Sequence, residues 1–372
     1  MIEPLDLSQL PPNAQKILGE GAPAKLRMVA ARGIVPGLKP ADIVAVVAAL
    51  AGGPQDEAQQ TAAEALPKLP PPVLNGALDA DLQAATIDAL AKSYVDRSET
   101  VAKLLRMPRV SVTTVEWLAK YGDEAVTEIV ATNMERLLAH PKLIELLYMN
   151  KCTRMSTADR IVEYAVRNGI EVAGISAWQE AAEAIQGELI VEGGDEPLPE
   201  DVEFWEAERL ASSLEGAEFV DAYVEDDEGE EQLEERYVPL YKRIADMSVS
   251  QKIRRAMLGT KEERALLVRE QNRLVATAAA RSEQLQEPEA VQIARNRNVL
   301  SDVLRVIGTS PEWLKSYQIK LNLVQNPRTP PMVSQRLIVQ LRESDLRKLA
   351  KDKNVQGAIR QAAQRHLSRR KR

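Results

Sequence analysis

A short phrase recurs along this chain, and it limits what the chain can fold into more than any other feature. Ile293-Ala-Arg-Asn-Arg-Asn-Val299 returns 56 positions later as Leu349-Ala-Lys-Asp-Lys-Asn-Val355. Leu323-Val-Gln-Asn-Pro-Arg-Thr329 lies between them, and Leu104-Leu-Arg-Met-Pro-Arg-Val110 and Leu147-Tyr-Met-Asn-Lys-Cys-Thr153 are looser copies in the first half. Each copy reads as an apolar helix end, a polar or Pro-containing corner with a cation, and a fresh amphipathic helix. That is the pattern of stacked helical units. The expected fold is therefore all-α, an α-solenoid of stacked helical repeats. Composition agrees: apolar residues make up 45% but aromatics only 4%, so the apolar content rests on Ala, Leu and Val rather than on the residues sheets favour.

Charge divides the chain further. Residues 188–235 hold 20 Asp/Glu against one basic residue, Arg209, for a net −19, while residues 236–372 hold 29 Lys/Arg against 12 Asp/Glu, for a net +17. The expected organisation is an N-terminal tail (1–19), an N-terminal helical-repeat domain (20–187), an acidic connector (188–235), and a basic C-terminal helical-repeat domain with a basic tail (236–372). Gly193-Gly194, Pro197, Pro199 and the acidic run from Glu225 to Glu231 predict a largely disordered connector. Both phenylalanines of the chain, Phe204 and Phe219, nevertheless fall in it, beside Trp205 and Tyr223. Apolar anchors on an acidic background suit docking, either onto the chain's own basic half or onto a second protein.

Local signals mark helix boundaries. Ala41 to Leu50 is apolar almost all round, as a buried helix is, and Gly52-Gly-Pro54 stops it. Asp56 to Leu66 predicts the next helix. Thr329 before Pro330 and Ser310 before Pro311 each place a hydroxyl where it can cap a first turn.

The phrases Leu323 to Val333 and Leu349 to Val355 resemble the units of HEAT-like and leucine-rich-repeat-variant α-solenoids, in particular bacterial helical-repeat proteins whose units read "L-x-x-N-P-x-T-P-x-x-V" and "L-A-x-D-x-N-V". The resemblance covers about residues 270–367 and, more weakly, 80–168. It implies an extended surface for binding proteins or nucleic acids, not a particular chemistry. Variants of this kind that carry an iron–sulfur cluster need a group of cysteines; this chain has Cys152 alone, so no such cofactor is carried over.

Apparent catalytic motifs do not hold up. Gly193-Gly-Asp-Glu-Pro197 is similar to the Gly-Gly-Asp-Glu-Phe signature of diguanylate cyclases, but Pro replaces Phe and no flanking strand pair is written. Gly19-Glu-Gly-Ala-Pro-Ala24 matches a dinucleotide fingerprint on paper, yet no buried strand precedes it and Glu20 would put a negative charge where pyrophosphate must sit. Aligned as a calcium loop on Gly229, the acidic run puts Val224 at the first ligand position. His140 and His366 have no ligand spacing, and Cys152 has no activating neighbour in sequence. No cofactor, metal or enzymatic activity is expected. The acidic N-terminus and a longest apolar run of Ile43 to Ala51 predict neither export nor membrane insertion, hence a cytoplasmic protein.

One arrangement is read as functional. Arg109, Arg297, Arg328 and Lys353 occupy near-equivalent corners, accompanied by Arg106, Arg295 and Lys351. Stacked corners align along one edge, so these cations predict an anion-binding rim. The leading expectation is a non-enzymatic scaffold or adaptor for a protein partner, with Phe204, Trp205, Phe219 and Tyr223 as docking or autoinhibitory anchors. A second reading has the basic C-terminal repeats bind nucleic acid. A third, a HEAT-like DNA glycosylase, requires Asp302, Trp313 and Tyr317 to converge on one cleft.

Overall fold

The computed structural model describes residues 2–19, 21–186, 196–214, 222–225 and 231–370. Over these residues the chain is all-helical apart from turns and one antiparallel hairpin, in which Tyr223–Glu225 pairs with Glu231–Leu233. No described helix is long and apolar enough to cross a membrane. Two compact units, Met1–Thr157 and Ala158–Arg372, make up the chain.

The first boundary thus precedes the expected one at residue 187. The cause is the helix Trp178–Ile185, which packs on Val249–Leu258 and Arg273–Arg281, with Glu180 paired to Arg281 at 3.1 Å. The connector also departs from expectation. Pro199–Leu214 is a helix, opened by the Leu198 N–H donating to Asp201 Oδ2 at 2.8 Å, and it packs on Val238–Asp246. Phe204, Ala207 and Ala211 share its buried face at helical spacing. That stripe lets an acidic segment fold by lending it a core.

In the first unit, Pro40–Ala51 is buried nearly all round, as its sequence implies, and packs on Ala24–Ala31, Glu57–Ala65, Pro71–Leu78 and Ala84–Ser93. Asp56 caps Glu57–Ala65 by accepting from the Gln59 N–H at 2.8 Å. Ser111 and Asp123 do the same for Val112–Tyr121 and Glu124–Ala131. The expected hydroxyl caps at Thr329 and Ser310 are not formed. Pro330 precedes Pro331–Ile338 without a side-chain cap, and Ser310 ends Ser301–Thr309 instead of opening a helix. Thr329 is fully buried, as are Thr153 and Val299, its counterparts in the phrase, with Val355 nearly so. The corner needs a β-branched side chain in the interior there, and packing takes precedence over capping.

The second unit shows alternate-neighbour packing. Val249–Leu258, Arg273–Arg281, Ser301–Thr309, Pro331–Ile338 and Gly357–Arg370 form a row in which each packs on the next, with starts 24 to 30 residues apart. Glu287–Arg295 likewise packs on Tyr317–Gln325, which skips the helix between them. Close approach has a specific requirement at Gly308, where an added Cβ would collide with Val333 Cγ1 of the next helix in the row. At the end of the row the exposed face of Gly357–Arg370 carries Gln361, Gln364, Arg365 and Ser368, a polar cover for the last apolar layer.

Polar rungs span one repeat at a time. Asn326 Nδ2 donates to the Ala294 and Asn296 carbonyls at 3.0 and 2.7 Å, while its Oδ1 accepts from the Arg328 N–H at 2.9 Å. Asn150 repeats this in the first unit, donating to Ala119 and Gly122 at 2.9 and 3.0 Å and accepting from the Cys152 N–H at 2.9 Å. Asn322 donates to Val291, Arg136 to Leu105, Arg336 to Gly308 and Tyr94 to Leu66, in each case to a backbone carbonyl 28 to 31 residues back. In the last copy of the phrase the Asp352 side chain accepts from the Asn354 N–H at 2.8 Å but, unlike an Asn amide, has no donor to reach back with. Gln356 supplies that rung, reaching the Pro327 and Thr329 carbonyls at 2.5 and 3.3 Å.

Two outcomes follow from this geometry. Asn326→Ala removes three hydrogen bonds and leaves helix-end carbonyls unsatisfied, so it should cost about 2–4 kcal/mol, read as a lower urea midpoint. Asn326→Asp should be at least as damaging because a carboxylate then faces two carbonyl oxygens, whereas Asp352→Asn should change little; an Asn326→Ala protein as stable as the parent would refute the rung. Tyr94, fully buried, has its phenol pushed above the usual value of 10.0 by burial, partly offset by a backbone hydrogen bond at Leu69 and by Arg97. Its neutral form therefore contributes fully below pH 10, the unfolded value, and that contribution is lost as pH rises through the higher folded value. Tyr94→Phe should flatten the alkaline fall in stability above pH 10, and an unchanged slope would show that another group causes it.

Candidate interaction surface

The rungs place the corner cations. Asn326 reaches Asn296 and Gln356 reaches Pro327 and Thr329, so the corners 295–299, 325–329 and 351–356 are joined in succession. Within each phrase the first and seventh positions are buried, and the clasp residues are buried or half-buried. The second position is buried at Ala294 and Val324, whereas the third, fifth and sixth are more open, and these hold Arg295, Arg297, Arg328, Lys351 and Lys353, all exposed. Among the described residues none of the five pairs with a carboxylate, and Arg328 makes one long contact from Nη1 to the Val299 carbonyl at 3.4 Å. Asp352 is the single carboxylate within these three corners.

Arg109 does not belong to this group. It lies in the first unit, where its guanidinium pairs with Asp81 at 3.0 Å and donates to Gln9 Oε1 at 3.2 Å. A carboxylate already neutralises the charge that the corner position suggested was free.

The aromatic anchors are placed differently from expectation. Phe204 is fully buried inside its own unit, with the Arg254 and Arg255 guanidinium carbons 5.0 and 4.8 Å from its ring centre. Both arginines are fully buried as well. Arg255 forms a two-pronged pair with Glu263, Nε to Oε1 at 2.7 Å and Nη2 to Oε2 at 2.6 Å, and approaches Glu208 of the acidic helix at 3.5 Å. Glu263 also accepts from the Thr260 N–H, and the neighbouring Arg264 makes a second two-pronged pair with Glu289 at 3.0 and 3.1 Å. Arg243 pairs with Glu206 at 2.6 Å. The acidic helix therefore lies on basic helices of its own unit, and Phe204 is a core residue, not a docking anchor. Trp205 is half-buried, Tyr223 is half-buried beneath the Arg269 guanidinium at 4.0 Å, and Phe219 lies outside the described residues.

The three residues required by a base-excision site are engaged separately. Asp302 pairs with Arg305 on its own helix at 2.9 Å; Tyr317 donates to Asp345 Oδ2 at 2.5 Å and accepts from the Arg342 N–H at 3.0 Å. The Tyr317 phenol is pushed up by burial and by its bond to Asp345. Trp313 sits half-buried on the short turn Trp313–Lys315. Cys152 is exposed at its corner. Among the described residues no group of three or more His, Cys, Asp or Glu is arranged to hold a metal ion.

Sequence reasoning passed over the asparagine clasp and the interior arginines. The signal for the first was present: Asn150 and Asn326 stand at the same position of the same phrase, and an Asn there can turn its oxygen back on its own backbone while its amide reaches outward. Nothing in the local text distinguishes Arg254 and Arg255 from solvated cations.

No protein family, no curated protein and no solved structure matches the chain.

Replacing Phe204 by Ala should cost about 3–5 kcal/mol, the range for deleting a buried aromatic, and should lower the thermal midpoint of the second unit. Trp205→Ala should cost distinctly less. Equal, small effects at both positions would mean that the acidic helix is not docked through Phe204.

Proposed function

We propose that the chain is a non-catalytic helical-repeat scaffold, built as an α-solenoid of HEAT-like units, that recognises an acidic macromolecular partner along one edge. The observation that carries this reading is the set of five exposed cations, Arg295, Arg297, Arg328, Lys351 and Lys353, on corners linked one to the next by hydrogen bonds. Free cations scattered over a surface are ordinary. Cations repeated at the positions of a periodic phrase that packing leaves open form a linear charge array, and summed fields of this kind steer and hold oppositely charged partners. Alternate-neighbour packing and one-repeat rungs support the solenoid reading, because both are what stacked helical pairs generate. With Phe204 in the core, the edge replaces the aromatic anchors as the contact surface.

Heparin, a generic polyanion, tests the edge. The full chain should be retained at low salt and released as salt screens the contact. A variant with all five edge cations changed to Gln should elute at clearly lower salt. A variant with five exposed cations elsewhere changed to Gln (Lys16, Lys25, Lys39, Lys68 and Lys103) has the same net charge and should elute with the parent. Identical elution of the parent and the edge variant would refute the reading.

A further inference from the structure

We infer that the partner of this edge is a duplex nucleic acid, held through its phosphate backbone without reading of bases. The inference rests on the edge proposed above and concerns what the edge binds.

Three observations point to phosphate. First, the five side chains are exposed and, among the described residues, unpaired with carboxylates, so no intramolecular partner must be displaced. Second, the exposed positions between them are amides: Asn298 and Asn354 are exposed, and Gln325 is half-buried. Guanidinium, ammonium and amide donors are the groups that contact phosphate oxygens. Third, the three corners expose no aromatic and no large apolar residue. Protein interfaces take most of their energy from a few buried aromatic or Arg anchors set in desolvated pockets. Single-strand binders stack bases on aromatic rings. These corners offer no exposed ring, and what their exposed side chains provide is electrostatic contact with a regular line of charge.

The spacing agrees. Packed helices lie about 8–10 Å apart, and five cations over three corners give roughly one charge per 5–6 Å of edge. One strand of a duplex presents a phosphate about every 3.4 Å along its axis. The two periods are close enough for most of the cations to find phosphates without distortion of the partner.

Fluorescence anisotropy of the full chain tests this with a labelled DNA duplex of about 25 base pairs, an RNA duplex of the same length, the matching single strand, and poly-glutamate, each over a salt series. The duplexes should bind irrespective of sequence, and the DNA duplex should give a plot of log affinity against log salt with a slope near −4, consistent with engagement of most of the five cations. The single strand and poly-glutamate should bind at least tenfold more weakly. The DNA and RNA arms decide which duplex is preferred. Changing Arg295, Arg297, Arg328, Lys351 and Lys353 to Gln should abolish the salt-dependent term while circular dichroism and the thermal midpoint stay unchanged. The five-lysine control of the first unit should bind like the parent. Equal or tighter binding of poly-glutamate or of the single strand would overturn the duplex inference and leave the scaffold reading standing. Loss of heparin retention together with duplex binding in the parent would overturn both.

Discussion

The hydrogen bond from a corner side chain to the carbonyls of the previous corner is the constraint on which the rest of the structure depends. The last carbonyls of any helix lack intrahelical partners and must find donors elsewhere. Here the donor comes from one repeat further along the chain: Asn150 for Ala119 and Gly122, Asn326 for Ala294 and Asn296, Gln356 for Pro327 and Thr329. Other ends are closed locally: the Ala51 carbonyl accepts from Gln59 and the Gly259 carbonyl from Arg264, 8 and 5 residues further on. Apolar burial at about 25 cal/mol per Å² supplies the larger share of the stability, through faces such as Val303, Leu304 and Ile307 against Val333 and Leu337. Such faces are rich in small and aliphatic groups and tolerate sliding. A rung tolerates none, because donor and acceptor must meet within a few tenths of an ångström. Burial therefore drives the association and the rungs fix its register.

That division explains why the phrase has the form it has. Its first residue is apolar because it closes a helix in the core. Its fourth is Asn in three copies, Asp with help from Gln356 in another and Met107 in the loosest; in Asn150 and Asn326 the oxygen closes the turn while the amide reaches back. Its seventh is Val or Thr because a β-branched group fills the interior beneath the corner. The second is buried as well in most copies, as at Ala294, Val324 and Tyr148, and the fold prescribes least at the third, fifth and sixth. Gln325 and Pro327 occupy two of them in one copy, and Met149, Lys151 and Cys152 occupy three in another. Where the fold is indifferent, the residues present reflect something else, and in the second unit they are Arg and Lys five times.

Much that is written in short-range pattern was legible in the sequence: the phrases, the apolar helix Pro40–Ala51, the helix that follows Asp56 and the solvent-facing corner cations, though not the caps expected at Thr329 and Ser310. The parts that depend on which distant segment a residue meets were not. Total charge misled most. Nothing in the local text marks Arg254, Arg255 and Arg264 as interior, and they lie in the core because Glu263, Glu289 and the ring of Phe204 are brought to them by packing. The connector was read as unfolded because its acidity outweighed the three-residue apolar stripe Phe204, Ala207 and Ala211, which is too short to register against so much charge. Arg109 looked equivalent to Arg328 by register, but Asp81, 28 positions upstream, pairs with it.

These corrections sharpen the electrostatics. Ionic groups in the second unit fall into two populations. One is consumed by folding: Arg255 with Glu263 and Glu208, Arg264 with Glu289, Arg243 with Glu206, Arg281 with Glu180. Arg255–Glu263 and Arg264–Glu289 are buried, and buried pairs add little net stability over an apolar equivalent although removing one partner is costly, so they specify which helices meet; the part-exposed Arg243–Glu206 pair contributes less. The other population stays in water at the corners, where each charge is screened over about 8 Å. At that range a single Arg holds nothing. A row of them, spaced by helix packing and fixed by the rungs, acts on a partner only as far as the partner repeats its own charge along the same line. If the edge binds as proposed, selectivity for a regular polyanion over an irregular one would arise from the same register that stabilises the fold.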